Sequence, residues 1–362
     1  VNRRTSTTRR ALVRLRAGLL LLTAVTLTMS VWSFAGTIGV LESVRDRTAP
    51  AVLDVTSARA SLLEANSDAI RSFHGGGAQL VGAGEQYETG LAVANQDLAR
   101  AAEHNAAGEP GSRELQLVAG LLTAYNAWMG ESGAQLRASG GAEQSAVYLW
   151  YAERLLTGDD QVVSHLDALA NDQRAQLDHQ VSSGWLSPAS TAAWAVPALA
   201  LLVLVVWTQL YLRRRFRRHF NEWLIAATVL VLGLGAATST GLVLAARAHD
   251  ATQALHQYAQ SADQQALTQA ASGESSLIEL VRAQCDANGP QGCGETLPAA
   301  GPSADATAGG VSASSAAAVT AGFTDATAFA WLLWLIPALA VAAGGCVLVG
   351  LQPRIDEYRY RT

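Results

Sequence analysis

Four stretches of the sequence carry no charged residue: 17–41, 189–212, 224–246 and 328–352. Each holds about the 20 residues that a helix needs to cross ~30 Å of hydrocarbon. Half of the 362 residues are hydrophobic and 15% are charged. That imbalance indicates membrane spans rather than one large soluble core. The four runs therefore read as four transmembrane helices, and everything else in the chain has to be arranged around them.

The charges between the runs set the topology. Residues 1–16 hold six Arg and no acid, and the link 213–223 holds five Arg and one acid. Short loops rich in Arg stay in the cytoplasm. The segment 42–188 holds 9 Arg against 19 acids, and 247–327 holds 2 Arg against 8 acids. The expected order is a basic cytoplasmic N-terminus (1–16), span one (17–41), an extracytoplasmic domain (42–188) and span two (189–212). A cytoplasmic Arg-rich loop (213–223), span three (224–246), a second extracytoplasmic domain (247–327), span four (328–352) and a cytoplasmic tail (353–362) follow. This is a multi-pass protein of a bacterial cell membrane with both termini inside. A rival for the first span is a leader cleaved after Ser33-Phe34-Ala35. The apolar run of about 25 residues is longer than the 7–15 of a leader and favours an anchor.

The first external segment reads as an up-down-up-down four-helix bundle. Ala51, Val55, Ala58, Leu62, Ala65 and Ala69 step 4, 3, 4, 3, 4, the seam of a coiled coil. Helix one is expected over 42–74, ended by Gly75-Gly76-Gly77. Helix two covers 78–106, with Leu80, Tyr87, Leu91, Ala94 and Leu98 on one side. Gly108-Glu109-Pro110-Gly111 breaks the chain, and Ser112 caps helix three, 113–138. Helix four is expected as one element, 142–184, with Val147, Trp150, Leu155, Val162, Leu166, Leu169, Ala170 and Leu177 inward. The second segment is a smaller helical domain. Its helices are expected over 247–271 and 273–285, followed by a Gly-, Pro- and Ser-rich loop and a weak returning helix over 311–327.

Smaller features give candidate sites. Cys285 and Cys293 bracket a tight turn outside the membrane, where a disulfide can form. A zinc site is the alternative, but it needs about four ligands and no His lies nearby. The phrase Trp194-Ala195-Val196-Pro197-Ala198-Leu199-Ala200 is nearly repeated as Trp334-Leu335-Ile336-Pro337-Ala338-Leu339-Ala340, which reads as two halves on one plan or as convergence on residues common in membrane helices. Pro197 and Pro337 each remove a helix hydrogen bond, as hinges or as tolerated membrane prolines. Arg213, Arg214, Arg215, Arg217 and Arg218 would meet anionic lipid headgroups or an acidic cytosolic partner.

No nucleotide-binding loop, nucleophile elbow or zinc-protease motif occurs. An enzyme is therefore not expected, and neither is a cofactor or a resident metal. The spans lack ionisable residues, which argues against a transporter. No basic patch lies outside the membrane-flanking segments, which argues against nucleic acid. A sensor fits better, because helices continuous with spans can carry a shift across the bilayer. Arg59, Arg71 and Arg154 could hold a carboxylate, or pair with local acids. Tyr125, Trp128, Tyr148, Trp150 and Tyr151 cluster near the turn between helices three and four, as a ligand pocket, a docking face or the filling of the bundle tip.

Ser57-Ala58-Arg59-Ala60-Ser61-Leu62-Leu63-Glu64-Ala65-Asn66, following an anchor helix, resembles the four-helix-bundle sensory domains of bacterial chemoreceptors and sensor kinases. Four spans, two external domains and no output domain resemble the GlnX family of actinobacterial amino-acid sensing. That resemblance implies an extracytoplasmic solute-binding lipoprotein and a cytosolic Ser/Thr kinase as partners beside the lipid bilayer, with a homodimer left open. The expected function is a signal relay that senses a small solute or a liganded binding protein. The alternative is a scaffold of the cell envelope.

Overall fold

The computed structural model describes residues 7–74, 83–138, 142–182, 188–216, 222–287 and 331–357. Nearly all of them are helical, joined by short turns and bends, with no strand among them. In chain order the elements are α1 (Thr7–Ser43), a π-helical segment (Val44–Thr48), α2 (Ala49–His74), α3 (Glu85–Glu103), α4 (Gly108–Arg137) and α5 (Ala142–Thr157). Then follow α6 (Val162–Ser182), α7 (Pro188–Phe216), α8 (Glu222–Ala287) and α9 (Leu332–Glu357).

The chain divides into two compact units. One, the apolar unit, holds α1, α7, α8 up to Asp250, and α9. Three helical stretches, Val13–His74, Ala192–Leu210 and Ile225–Ala283, contain an apolar window long enough to cross a membrane, and Trp334–Gly350 is a shorter apolar helix. Phe34, Leu41, Leu234, Leu244 and Ile336 form one buried cluster in this unit. Leu19, Leu201, Val205, Ala227 and Val347 form another, with Cys346 packed on it. The outer faces stay apolar, with Leu199 68%, Val229 62% and Trp334 80% exposed. A helix that is hydrophobic all round is matched to an apolar surrounding. On the inner face of α1 a row of hydroxyls is buried: Thr23, Thr26, Ser30, Ser33 and Thr37. Thr23, Thr26 and Thr37 return their O–H to the carbonyl four residues back.

Pro197 lies inside α7. Pro337 lies in α9 and lines an open groove of about 530 Å³ with Leu27, Thr28, Val31, Trp32 and Ala35 of α1. The arginines 213–215 fall in the last turns of α7, and Arg217 and Arg218 lie outside the described residues. Cys285 falls near the end of α8 and Cys293 lies outside the described residues.

The second unit is a helical bundle made of the π segment, α2 to α5, α6 as far as Asp178, and α8 from Ala251. All six seam residues expected on α2 are buried at 0–1% exposure. A second row beside them is buried as well: Val52, Arg59, Leu63, Asn66, Ile70 and Phe73. Two adjacent buried rows make α2 the central helix rather than one wall. On one side α3 packs closely. A Cβ on Gly90 would lie 2.9 Å from Ala65 Cβ and 3.3 Å from the Ser61 carbonyl, so only glycine lets the helices approach this far. Ser57 Oγ donates to Asp97 Oδ2 across the same interface at 2.6 Å. On the other side lies α8, with Gly273 against Ile70 and Asn66. Each fully buried Leu or Ile contributes about 1.5–3 kcal/mol. The shared core takes Leu62, Ile70, Leu122, Leu149, Leu166, Leu169 and Leu277.

Several boundaries differ from those expected. Helix one is continuous with α1. Pro50 cannot donate to the carbonyl of Asp46 and its ring crowds that group. The π turn just before it widens the helix and takes up the misfit. Helix two begins at Glu85, after Gly84 at φ 97°. Helix three begins at Gly108 rather than Arg113, because Pro110 falls in the first turn, where no N–H is needed. The loop before it is closed by Asn105, which accepts from Ala107 N–H and donates to Gly108 O and Ser112 Oγ. Ser112 is thus inside the helix and is not its cap.

Helix four is two helices. They break at Gly158–Gln161, where Asp160 adopts φ 57°. The break shifts the helical phase. Val162, Leu166, Leu169 and Leu177 of α6 are buried as expected, but Val147 (51%) and Trp150 (44%) of α5 are exposed. The inward face of α5 is Ser145, Ala146, Leu149, Ala152, Glu153 and Leu156. The segment expected as a second domain also differs in its described part. Residues 251–287 form one unbroken helix with the apolar stretch that precedes them, and they pack into the bundle as a further member. Gly273 does not end that helix, because it costs only about 1 kcal/mol there.

Candidate functional site

Two features of the bundle can carry chemistry: an exposed aromatic face and a buried polar interior. The face is built by α4 and α5. Trp128 stacks on Tyr148 and on Tyr151, both with ring centres 5.5 Å apart, and Trp150 meets Tyr151 edge-on at 5.3 Å. Trp128, Trp150 and Tyr151 are 38%, 44% and 47% exposed. Val147 adds apolar surface and Arg154 is also exposed on α5. Stacked rings are rigid and amphipathic, and they present large contact area at little entropic cost. Four of the five aromatics grouped by sequence are here. Tyr125 is not: it is 1% exposed, turned inward toward Tyr87 at 6.2 Å.

The three arginines read as carboxylate ligands have three different settings. Arg59 is buried, its guanidinium taken by acids of two other helices. Its Nη1 donates to Asp263 Oδ1 of α8 at 2.7 Å, and its Nε faces Asp167 Oδ1 of α6 at 3.0 Å. Arg174 of α6 approaches the other oxygen of Asp263 at 3.4 Å. Two arginines and two aspartates thus tie α2, α6 and α8 together. Burial pushes the Asp167 carboxyl up, and Arg59 partly offsets this. Arg71 is exposed and pairs with Asp68 one turn earlier on α2. Arg154 belongs to the aromatic side.

The interior holds a second polar group of residues. Glu153 is 5% exposed. It accepts from Asn66 Nδ2 of α2. Asn66 Oδ1 accepts from the Tyr125 hydroxyl of α4 at 3.1 Å. Thr157 Oγ1 lies 3.2 Å from Glu153 Oε1 and 3.0 Å from the Glu153 carbonyl. Burial raises the Glu153 carboxyl above its ordinary range, the bonds from Asn66 and Thr157 lower it, and Glu274 of α8 raises it further. Burial likewise raises the Tyr125 and Tyr87 hydroxyls, and Tyr87 donates to Asn126 Oδ1 at 2.9 Å.

Three histidines bridge helices. His104 meets Asp54 at 3.1 Å, His165 meets Glu114 at 2.8 Å, and His256 meets Asp178 at 2.9 Å. Among the described residues no group of His, Cys, Asp or Glu has the geometry of a metal site.

Sequence reasoning missed Asn66, Glu153, Asp167, Asp263 and Glu274. A signal for two partners of these clusters was present. Residues 52, 59, 63, 66, 70 and 73 form a second helical row beside the seam, and Arg59 and Asn66 are its polar members.

Residues 40–182 match the family model of an actinobacterial sensor domain. The match ends at the last residue of α6, so it spans α2 to α6 and leaves α8 outside. No curated protein and no solved structure matches the chain. The sensor-domain match points to a signal-sensing role and agrees with a helical protein whose apolar helices suit a membrane.

Proposed function

We propose that this chain is a non-enzymatic transmembrane signal relay, with the α2–α6 bundle as its extracytoplasmic sensor. The observation that carries the reading is continuity. The sensor-matched segment begins within α1, and α1, the π segment and α2 follow without a break. A change in the packing of α2 is therefore a change imposed on the end of an apolar helix. The apolar helices act as four spans with both termini in the cytoplasm of a bacterial cell. The Arg-rich loop and the tail form the inner contact for anionic lipid or for a cytosolic partner, a Ser/Thr kinase if the GlnX resemblance holds.

The receiving surface in this reading is the face of Trp128, Tyr148, Trp150 and Tyr151, with Arg154 beside it. Exposed Trp and Arg are the side chains that most often dominate protein docking. An extracytoplasmic solute-binding protein suits it better than a free small solute, because Trp128, Trp150 and Tyr151 are exposed on the surface of two helices, whereas small-ligand sites enclose most of their ligand. A photoreactive amino acid placed at Trp150 in living cells tests this. Crosslinks to a solute-binding lipoprotein that rise or fall with added amino acids are expected, and Trp128→Ala should abolish them without loss of expression. Absence of any crosslink under every nutrient condition would favour the envelope scaffold.

A further inference from the structure

Glu153 sits where four helices meet, and its surroundings are unusual for a carboxylate. No cation faces it. Among the described residues, the ionisable groups that face it are Tyr125 of α4, with Tyr87 of α3 behind it, and Glu274 of α8. From α2 it receives only the neutral amide of Asn66. On its own helix, Arg154 is exposed. Glu153 also lies in the last turn of α5, which ends at Thr157. The carboxyl end of a helix carries partial negative charge and disfavours an anion.

The site nonetheless satisfies both protonation states. Thr157 Oγ1 is within hydrogen-bond reach of the Glu153 carbonyl and of Glu153 Oε1. With the carboxyl neutral, Oε1–H donates to Thr157 Oγ1 while the Thr157 hydroxyl donates to the carbonyl. With the carboxylate ionised, the same hydroxyl turns and donates to Oε1. Asn66 Nδ2 donates to Oε2 in either case. A rotating hydroxyl therefore lets one proton enter or leave without orphaning a buried group, a condition that a fixed structural acid need not meet.

We propose that Glu153 is a proton-operated latch that sets how firmly α8 is seated on the bundle. The neutral form holds α8 down. Gly273 lies against Asn66 and Ile70, and the next residue of α8 is Glu274. Ionisation puts an unpaired charge into the interior and sets it against the Glu274 carboxylate. The charge is relieved by admitting water beside α8, and α8 loosens. Because α8 is one helix from Glu222 to Ala287, a proton taken up in the bundle acts on a helix that also contains an apolar, span-like stretch. Proton sensing is thus a second input to the protein. It rests on the bundle interior and not on the aromatic face, so failure of either reading leaves the other standing.

The sign follows from the direction of the shift. A carboxyl raised in the folded state keeps its proton to higher pH than in the unfolded chain. Its favourable contribution is complete below the ordinary carboxylate range and is lost as pH rises through the raised value. The latch is closed in acid and open above it.

The test is a distance measurement on the full chain in nanodiscs. Nitroxides are placed at Leu267→Cys on α8 and Thr123→Cys on α4, both exposed, with the native cysteines replaced by Ser. As pH rises from the ordinary carboxylate range through the raised value of Glu153, the distribution should pass from narrow to broad. Glu153→Gln should stay narrow throughout. Glu274→Gln removes the opposing charge and should move the transition to lower pH. This second variant decides the matter if Glu153→Gln does not fold. A distribution that does not change with pH, or a transition that is the same in wild type and both variants, overturns the proposal.

Discussion

Replacing Arg59 with Met removes the cation that joins three helices. The side chain is only 8% exposed, while its acidic partners Asp167 and Asp263 keep 39% and 34%. Removing one partner of a fully buried pair costs about 3–5 kcal/mol. Here both acids can be rehydrated, and Arg174 remains beside Asp263 at 3.4 Å. The cost should therefore fall to about 2–3 kcal/mol, still well above the 0–1 of a surface pair. For a unit of this size that is a fall in Tm of roughly 4–12 °C. The loss should also depend on pH. Asp167 already holds its proton above the ordinary range, since burial outweighs Arg59. Without Arg59 its carboxyl rises further, so the variant loses stability relative to wild type as pH increases through that window and recovers it in acid. Thermal unfolding of the full chain in nanodiscs, followed by far-UV circular dichroism at several pH values, measures both effects. Adding Asp167→Asn should return part of the loss at neutral pH. A loss under about 1 kcal/mol, the same at every pH, would show that solvent screens the network and that it does not hold α8.

Glycine substitutions should separate in sign. Gly90→Ala forces a Cβ to 2.9 Å from Ala65 Cβ; overpacking of about 1–3 kcal/mol outweighs the ~1 kcal/mol gained in helix propensity, so Tm falls. Gly273→Ala meets nothing closer than 3.7 Å and should raise stability by about 0.5–1 kcal/mol in the same assay. Asp160→Gly relieves the φ of 57° at the α5–α6 break and should be neutral to stabilising by up to about 1 kcal/mol. Gly111→Ala drives a Cβ into Asn105 Oδ1. It should open the loop before α4, read as faster hydrogen exchange at Ala107.

The helical class and the seam of α2 were legible because they rest on period and composition. Ala51, Val55, Ala58, Leu62, Ala65 and Ala69 obey a spacing that only a helix with a buried face produces. The role of α8 was not legible. Gly273 reads as a break, and the apolar face of Ala251, Leu255, Ala262 and Ala266 is too weak to say which surface it covers. Its partner is defined by Asp263 and Gly273 meeting residues about 200 positions earlier, which no local pattern encodes. A single helical phase through 142–184 turns Trp150 inward. The left-handed Asp160 resets that phase, and aspartate signals such a turn less strongly than glycine. The aromatic grouping itself was visible, since Tyr148, Trp150 and Tyr151 lie within about one turn and Trp128 precedes them on the neighbouring helix. The proton site was invisible because Glu153 and Asn66 are distant in sequence and each is ordinary by itself.

In the proposed relay the α2–α6 bundle lies outside the cell and reports inward. Cysteines at Thr123 in the bundle and at Gln352 near the end of α9, placed one at a time in a chain lacking its native cysteines, test it. They are challenged in intact cells with a membrane-impermeant maleimide. Labelling of position 123 in intact cells, and of position 352 only after lysis, is the predicted result. Protection of position 123 until lysis would place the bundle inside and contradict the account.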